Sequence, residues 1–296
     1  DMTLRQWADE CIDTCKVGIK PITLKNYKCK MNKWVLSEIG DMKIKDIRQM
    51  HCQKVLNNLD GKSKYMIRKV NEIMNFLFDK AIQNKLLYEN PAKYLTKPKG
   101  TETSNRSITP EERAAVLTTC KNKPEYVYFL FMLYCGLRPQ EAARVRKCDV
   151  KDGVLHVRGS KSDNADRKIP VQKVFLDQLD IKGFDLYVTN KSGSEMNENN
   201  RSDLWKDFKN NLNITLGCNV DEKGKAKPPY HLAADFVPYC LRHTYCTDLQ
   251  KFGVDLRVAK YLMYSRGFSG RLVREYIFFY AKTTISTPLL QKSFWK

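Results

Sequence analysis

Three basic side chains in chain order, Arg138, Lys161 and Arg242, are the residues best suited to chemistry. Arg138 stands in Cys135-Gly136-Leu137-Arg138-Pro139-Gln140-Glu141, after an apolar helical run and before a proline that suits a first helical turn. This puts a guanidinium at the mouth of a core, and a guanidinium grips two phosphate oxygens at once. Glu141 falls in the first turn that follows, where it can orient Arg138. Arg242 stands in Pro238-Tyr239-Cys240-Leu241-Arg242-His243-Thr244-Tyr245, ahead of a second apolar helical pattern through Tyr245 and Leu249. Lys161 lies between the arginines on the polar turn SKSDNAD, from which an amine can protonate a leaving-group oxygen. Arg138 with Glu141 alone reads as a structural ion pair. The three basic residues together point to phosphate chemistry.

The elements that must position them follow from periodicity. Residues 154–158 and 167–171 alternate as a β-hairpin around the turn that carries Lys161. Residues 125–135 form an apolar helix, and Thr109-Pro110-Glu111-Glu112 opens another with a cap and an early proline. Residues 3–95 read as nearly all helix. Thr3 precedes Leu4, Trp7, Ala8 and Cys11. Thr23 begins a helix through Leu24, Tyr27, Met31, Trp34 and Val35. A short third helix covers about 46–58. Ser63 caps a fourth, with Ile67, Val70, Ile73, Phe76, Leu77 and Ala81 on its buried stripe. The polar stretch KPKGTETSNRS (97–107) reads as a linker. The expected organisation is a helical domain at 1–96, the linker at 97–107, and a second domain at 108–296.

Composition narrows the partner. The formal net charge is +19, with 20 Lys and Arg against 11 Asp and Glu in residues 1–100. Such a field favours a polyanion through counterion release and steering. Lys25, Lys28 and Lys30 lie on the second helix, and Lys62, Lys64, Arg68 and Lys69 cluster at the start of the fourth. One lysine reads as a solvated face; two clusters on one small domain read as a DNA-binding surface. Ten cysteines form no CxxC pair, and four histidines add no zinc spacing, so free thiols in a reducing cytoplasm are expected and no metal. No apolar run spans a bilayer, and the start DMTLRQWADE has no secretory pattern. That start reads as the middle of a gene, which predicts a fragment of a longer protein.

GLRPQEA, the hairpin lysine and LRHT, in this order, resemble the signature of the tyrosine recombinases, the phage-integrase family. ITPEE resembles the usual opening of the catalytic domain, and the first hundred residues resemble the helical core-binding domain. The integrases of conjugative transposons are the nearest likeness, a group that often carries an additional N-terminal arm-binding domain. The resemblance implies a two-domain clamp, mainly α with a small antiparallel β-sheet: a helical core-binding domain plus an α+β catalytic domain. It implies site-specific recombination, integrating or excising a mobile element, through a 3′-phosphotyrosine. Arg138 and Arg242 would stabilise phosphate charge, and Lys161 would protonate the departing 5′ oxygen, with no cofactor. The implied partners are double-stranded DNA, further copies of the chain from dimer to tetramer, and an accessory directionality protein. The implied location is the bacterial cytoplasm, on the nucleoid when bound to DNA. The apolar tail 281–296, with Leu289, Leu290, Phe294 and Trp295, would dock on a neighbouring copy.

Two positions depart from the pattern. Where the family has His three residues before the second arginine, this chain has Tyr239, whose phenol can hydrogen-bond a phosphate oxygen but is a poor base. His243 is expected to pack or hydrogen-bond in a supporting role. After Leu262-Met263 the family has Gly-His and then the nucleophile; this chain reads YSRGFSGRLVREYIFFYAKTT. Tyr276 and Tyr280 both qualify as nucleophile, or neither does. The rival readings are therefore a DNA-binding member without cleavage and a type IB topoisomerase-like enzyme.

Overall fold

The computed structural model describes residues 2–102, 105–158, 166–179, 183 and 185–264. The chain divides into two compact units, Asp1–Ser104 and Asn105–Lys296.

The first unit is helical. Helix α1 (Leu4–Cys15) is closed at its start by Thr3 and Gln6, each satisfying the other's backbone N–H. Helix α2 (Pro21–Lys30) begins at Pro21 rather than at Thr23, because the fixed φ of proline suits the first helical position. The helix expected through Val35 is continuous, but its middle is not α-helical. A π-helical stretch, Met31–Leu36, follows α2 and leads into the single turn α3 (Ser37–Ile39). The wider turn rotates the stripe, so that Met31, Val35 and Leu36 are buried while Trp34 stays partly covered. Helix α4 spans Gln49–Asn57, inside the expected 46–58. Helix α5 (Lys64–Gln83) is capped by Ser63, whose hydroxyl accepts the Met66 N–H at 3.2 Å. Its stripe of Ile67, Val70, Ile73, Leu77 and Ala81 is buried, and the Trp7 indole donates to the Leu77 carbonyl at 2.9 Å. Thr101, in the stretch read as linker, is bonded to this unit. Its N–H donates to the Lys62 carbonyl, and its carbonyl accepts from Lys64, both at 3.0 Å.

In the second unit, α6 (Pro110–Thr119) opens with a reciprocal Thr109–Glu112 cap. Helix α7 (Val127–Cys135) has no polar face, and Tyr128 through Cys135 are buried. It stops at Gly136, which takes a left-handed φ of 59°. A single turn, α8 (Pro139–Ala142), follows. Three short strands, β1 (Val150–Lys151), β2 (Val154–Val157) and β3 (Arg167–Pro170), form an antiparallel sheet in that order. The hairpin was legible in the sequence; β1, only two residues long, was not. Leu155 pairs with Ile169 and Val157 with Arg167. Helices α9 (Lys173–Leu176), α10 (Glu198–Thr215), α11 (Pro238–Lys251) and α12 (Leu256–Tyr264) complete the described part. The core is aromatic: Phe129 of α7 stacks on Phe208 of α10 at 3.9 Å, and Tyr134 on Phe175 at 4.9 Å.

Gly136 is where the backbone tolerates one residue type. An L side chain in the left-handed region costs about 1–2 kcal/mol, and a Cβ here would run into the Tyr245 ring of α11. Gly136→Ala is expected to lower unfolding free energy by about 2–4 kcal/mol, read as a shift in the urea midpoint.

Candidate active site

Glu141, in α8, is buried, and three arginines from three elements converge on it. Its Oε2 accepts the Arg138 backbone N–H at 2.8 Å, which caps α8, and its Oε1 accepts Arg138 Nη1 at 2.7 Å. From β3, Arg167 adds a forked pair, Nη1 to Oε1 at 3.1 Å and Nη2 to Oε2 at 2.8 Å. From α11, Arg242 Nη1 lies 3.9 Å from Oε2. The three side chains differ in reach. That of Arg138 is 37% exposed, that of Arg242 6%, and that of Arg167 0%.

Backbone geometry explains the convergence. The left-handed Gly136 turns the chain out of α7 so that its carbonyl accepts from Arg242 Nη1. Arg242 Nη2 donates to the Met263 carbonyl at 2.7 Å, in the last described turn of α12. Arg242 stands inside α11, not before it, because Pro238 starts that helix four residues earlier. Helix α11 is pinned from the start of the unit. The Ile108 N–H donates to the Thr244 hydroxyl at 2.9 Å, and Arg113 pairs with Asp248 at 2.5 Å.

Burial alone would push the Glu141 carboxyl up. The hydrogen bonds and charge of Arg167, followed by those of Arg138, outweigh it and hold the carboxyl at about 2. Burial pushes the neighbouring Cys135 thiol well up, so it stays protonated.

Of the other residues singled out from the sequence, Tyr239 is 45% exposed in the first turn of α11, one helical turn before Arg242. His243 is exposed, with Nδ1 3.4 Å from the Thr247 hydroxyl. Lys161, Tyr276 and Tyr280 lie outside the described residues, as does the tail 281–296. The strands on either side of Lys161 in sequence are described, and their last pair is Val157 with Arg167. Arg167 is the residue that sequence reasoning missed. A signal existed: it shares strand parity with the core residue Ile169, so it had to point inward.

In the first unit the basic residues are partly paired. Lys28 pairs with Asp13 at 2.9 Å, Lys64 with Glu102 at 2.5 Å and Lys69 with Glu72 at 2.6 Å, while Arg68 lies 3.6 Å from Glu72. Lys30 reaches the Asn26 carbonyl at 3.4 Å, and Lys25 is exposed. Lys62, just before the Ser63 cap of α5, lies 6.0 Å from the Trp34 ring and Lys33 5.2 Å from it. Arg68 and Lys69 flank the half-exposed Tyr65 ring. Lys33, Trp34 and Tyr65 thus join the basic surface that the sequence reading drew from lysines and Arg68 alone.

A helical basic unit, followed by a unit in which two arginines from separate elements meet at one carboxylate beside a small sheet, defines a protein of the tyrosine-recombinase fold. The chain belongs to the phage integrase family: residues 106–265 match that family, and residues 3–59 match the phage integrase N-terminal SAM-like domain. A tyrosine recombinase of Pseudothermotoga lettingae is 22% identical over 235 residues, 76% of each chain. The Tn1549 transposon integrase, in complex with transposon right end DNA, superposes with a TM-score of 0.70 at 18% identity, over 96% of this chain and 98% of that one. A lambda integrase dimer bound to a COC′ core site gives 0.67 at 18%, over 91% and 96%. The protein is a tyrosine-type site-specific recombinase by family.

The folded value of the Glu141 carboxyl lies below its ordinary 4.5. Its contribution, about 3 kcal/mol, is therefore full above that pH and is lost as pH falls towards 2. Glu141→Gln leaves buried guanidiniums without their carboxylate and is expected to cost about 3–5 kcal/mol at pH 7. It should also flatten the acid limb of stability, both read by denaturant unfolding from pH 7 to pH 3.

Proposed function

We propose that this chain cleaves and rejoins duplex DNA at specific sites through a 3′-phosphotyrosine, with Arg138 and Arg242 as the phosphate ligands. The observation that carries the reading is the meeting of these two arginines, from the cap of α8 and from α11, at the buried carboxylate of Glu141, 2.7 and 3.9 Å away. Two guanidiniums fixed to one another through a carboxylate can hold a phosphodiester whose oxygens gain charge as a fifth ligand approaches phosphorus. Arg138, the more exposed, meets the phosphate first, and Arg242 stabilises it from below. Tyr239 adds a phenolic hydrogen bond, and Glu141 and His243 support. Tyr276 or Tyr280 supplies the attacking hydroxyl. It breaks the bond to the 5′ oxygen, and Lys161 gives that oxygen a proton. The phosphotyrosine stores the bond energy, and a second 5′ hydroxyl reverses the step.

The domain roles follow. Residues 1–96 form the core-binding domain, 97–107 the connection and 108–296 the catalytic domain. The first engages the duplex through Lys25, Lys28, Lys30, Lys62, Lys64, Arg68 and Lys69. We place the working assembly on DNA as a dimer or tetramer, served by an accessory directionality protein, in the bacterial cytoplasm. The DNA-bound Tn1549 and lambda integrases support the DNA and multi-copy parts of this reading. No helix among the described residues is long and apolar enough to cross a membrane.

The test of chemistry is covalent trapping on a nicked duplex, with mass spectrometry of the peptide left on the DNA. The wild-type chain should yield a DNA-linked peptide containing Tyr276 or Tyr280. The matching Tyr→Phe variant should abolish it, and Arg242→Ala should slow it about a thousandfold. Salt-sensitive binding without any adduct would instead identify a DNA-binding member that does not cleave. Relaxation of supercoils without strand exchange would identify a topoisomerase.

A separate measurement addresses the basic surface. Lys62→Ala should weaken DNA binding similarly across sequences and reduce the slope of log affinity against log salt by about 1. An unchanged slope would remove Lys62 from the phosphate contacts.

A further inference from the structure

We propose that Arg167 is a positioning residue of the strand-transfer site, setting both phosphate-gripping arginines and the last described turn of α12 from one buried guanidinium. The inference rests on the reading of Arg138 and Arg242 as phosphate ligands.

Arg167 uses all three of its donor nitrogens on two targets. Nη1 and Nη2 take both oxygens of Glu141, at 3.1 and 2.8 Å, and Nε donates to the Leu262 carbonyl at 2.8 Å. Its side chain is 0% exposed, so DNA cannot reach it as it can Arg138. Stability alone is a weak reason for such a group, because well-packed hydrocarbon commonly serves a core as well as or better than a buried ion pair. Hydrocarbon cannot fix the plane of a carboxylate. With Arg167 in place, Glu141 Oε1 faces Arg138 Nη1, and Oε2 faces the Arg138 N–H and Arg242. Removal of Arg167 frees the Glu141 side chain to turn, and both arginines lose the reference that spaces them.

The second target extends the argument. In α12, Leu262 gives its carbonyl to Arg167 and Met263 gives its carbonyl to Arg242. Two guanidiniums thus hold two consecutive carbonyls of α12. The chain runs on from there to Tyr276 and Tyr280 in sequence. Arg167 therefore ties β3, the carboxylate under the arginines and the root of the segment that carries the candidate nucleophiles. A lysine at 167 keeps the charge but cannot reproduce the planar fork together with the third bond.

The probe is a nicked duplex carrying the site that the wild-type chain selects from a random-sequence pool. Neutral methylphosphonates are scanned through the footprint one phosphate at a time, which reads the grip on each phosphate without needing cleavage. Covalent attachment is timed separately under single-turnover conditions. In the wild-type chain, one phosphate should dominate the scan, and Arg138→Ala and Arg242→Ala should erase its signal. Arg167→Met should weaken the signal at that phosphate and slow attachment about 100-fold. The rest of the scan should stay within about threefold. Arg167→Lys should recover melting temperature more than attachment rate, and it decides the matter if the methionine variant does not fold. A folded Arg167→Met chain with the wild-type scan and rate overturns the proposal. So does a lysine variant in which rate and melting temperature recover in step, since that is a structural role alone. If Arg138→Ala and Arg242→Ala leave the scan unchanged, the phosphate-ligand reading has failed and the positioning role falls with it.

Discussion

Everything distinctive about the second unit is arranged around one carboxylate. Glu141 is buried, and an isolated buried carboxylate would take up a proton rather than stay charged. It stays ionised because Arg138 and Arg167 satisfy both oxygens, with Arg242 close by. Each arginine comes from a different element, so the carboxylate fixes α8, β3 and α11 together. The desolvation cost of this group is large, and it is offset only if every partner arrives in register. Small changes far along the chain are therefore felt at the arginines.

Gly136 shows how that register is reached. The apolar helix α7 must end abruptly for Arg138 to leave the core, and a left-handed glycine ends it in one residue. The same turn presents the Gly136 carbonyl to Arg242 and makes room for the Tyr245 ring. One backbone conformation thereby connects helix termination, the packing of α11 and the placement of the second arginine. The first unit works by a different economy. Its basic groups are exposed or half-buried, spread over α2, the π-helical stretch and the approach to and start of α5, and several are paired with carboxylates at the surface. Such pairs are worth little in water.

The sequence made this division legible unevenly. Arg138, Glu141 and Arg242 stood out because proline, glycine and apolar periodicity surround them with recognisable helix boundaries. Arg167 did not, because a lone arginine on a short strand looks like a solvent-facing residue until parity with Ile169 is taken seriously. The π-helical stretch inside the helix from Thr23 was not legible for a related reason. Periodicity located Met31 and Val35 correctly in the core, but it carries no information about a π-helical turn, which changes hydrogen bonding while keeping the stripe apolar. The third strand, β1, was too short to alternate. Local patterns show which side chains face inward. They do not show which distant inward-facing groups will meet.

Helix α11 illustrates how the site divides its labour. Tyr239, Arg242 and His243 fall within its first two turns, and residues three and four apart share a face. Yet Arg242 is buried while Tyr239 and His243 are exposed. The helix therefore lies at the boundary of the core, with charge on the inner edge of that face and hydrogen-bonding groups on the outer edge. Arg242 is anchored on the Gly136 and Met263 carbonyls, so its guanidinium is held in place without any ligand. Charge held in place before the reaction is what makes electrostatic stabilisation effective, because none of the binding energy is then spent on reorganising it.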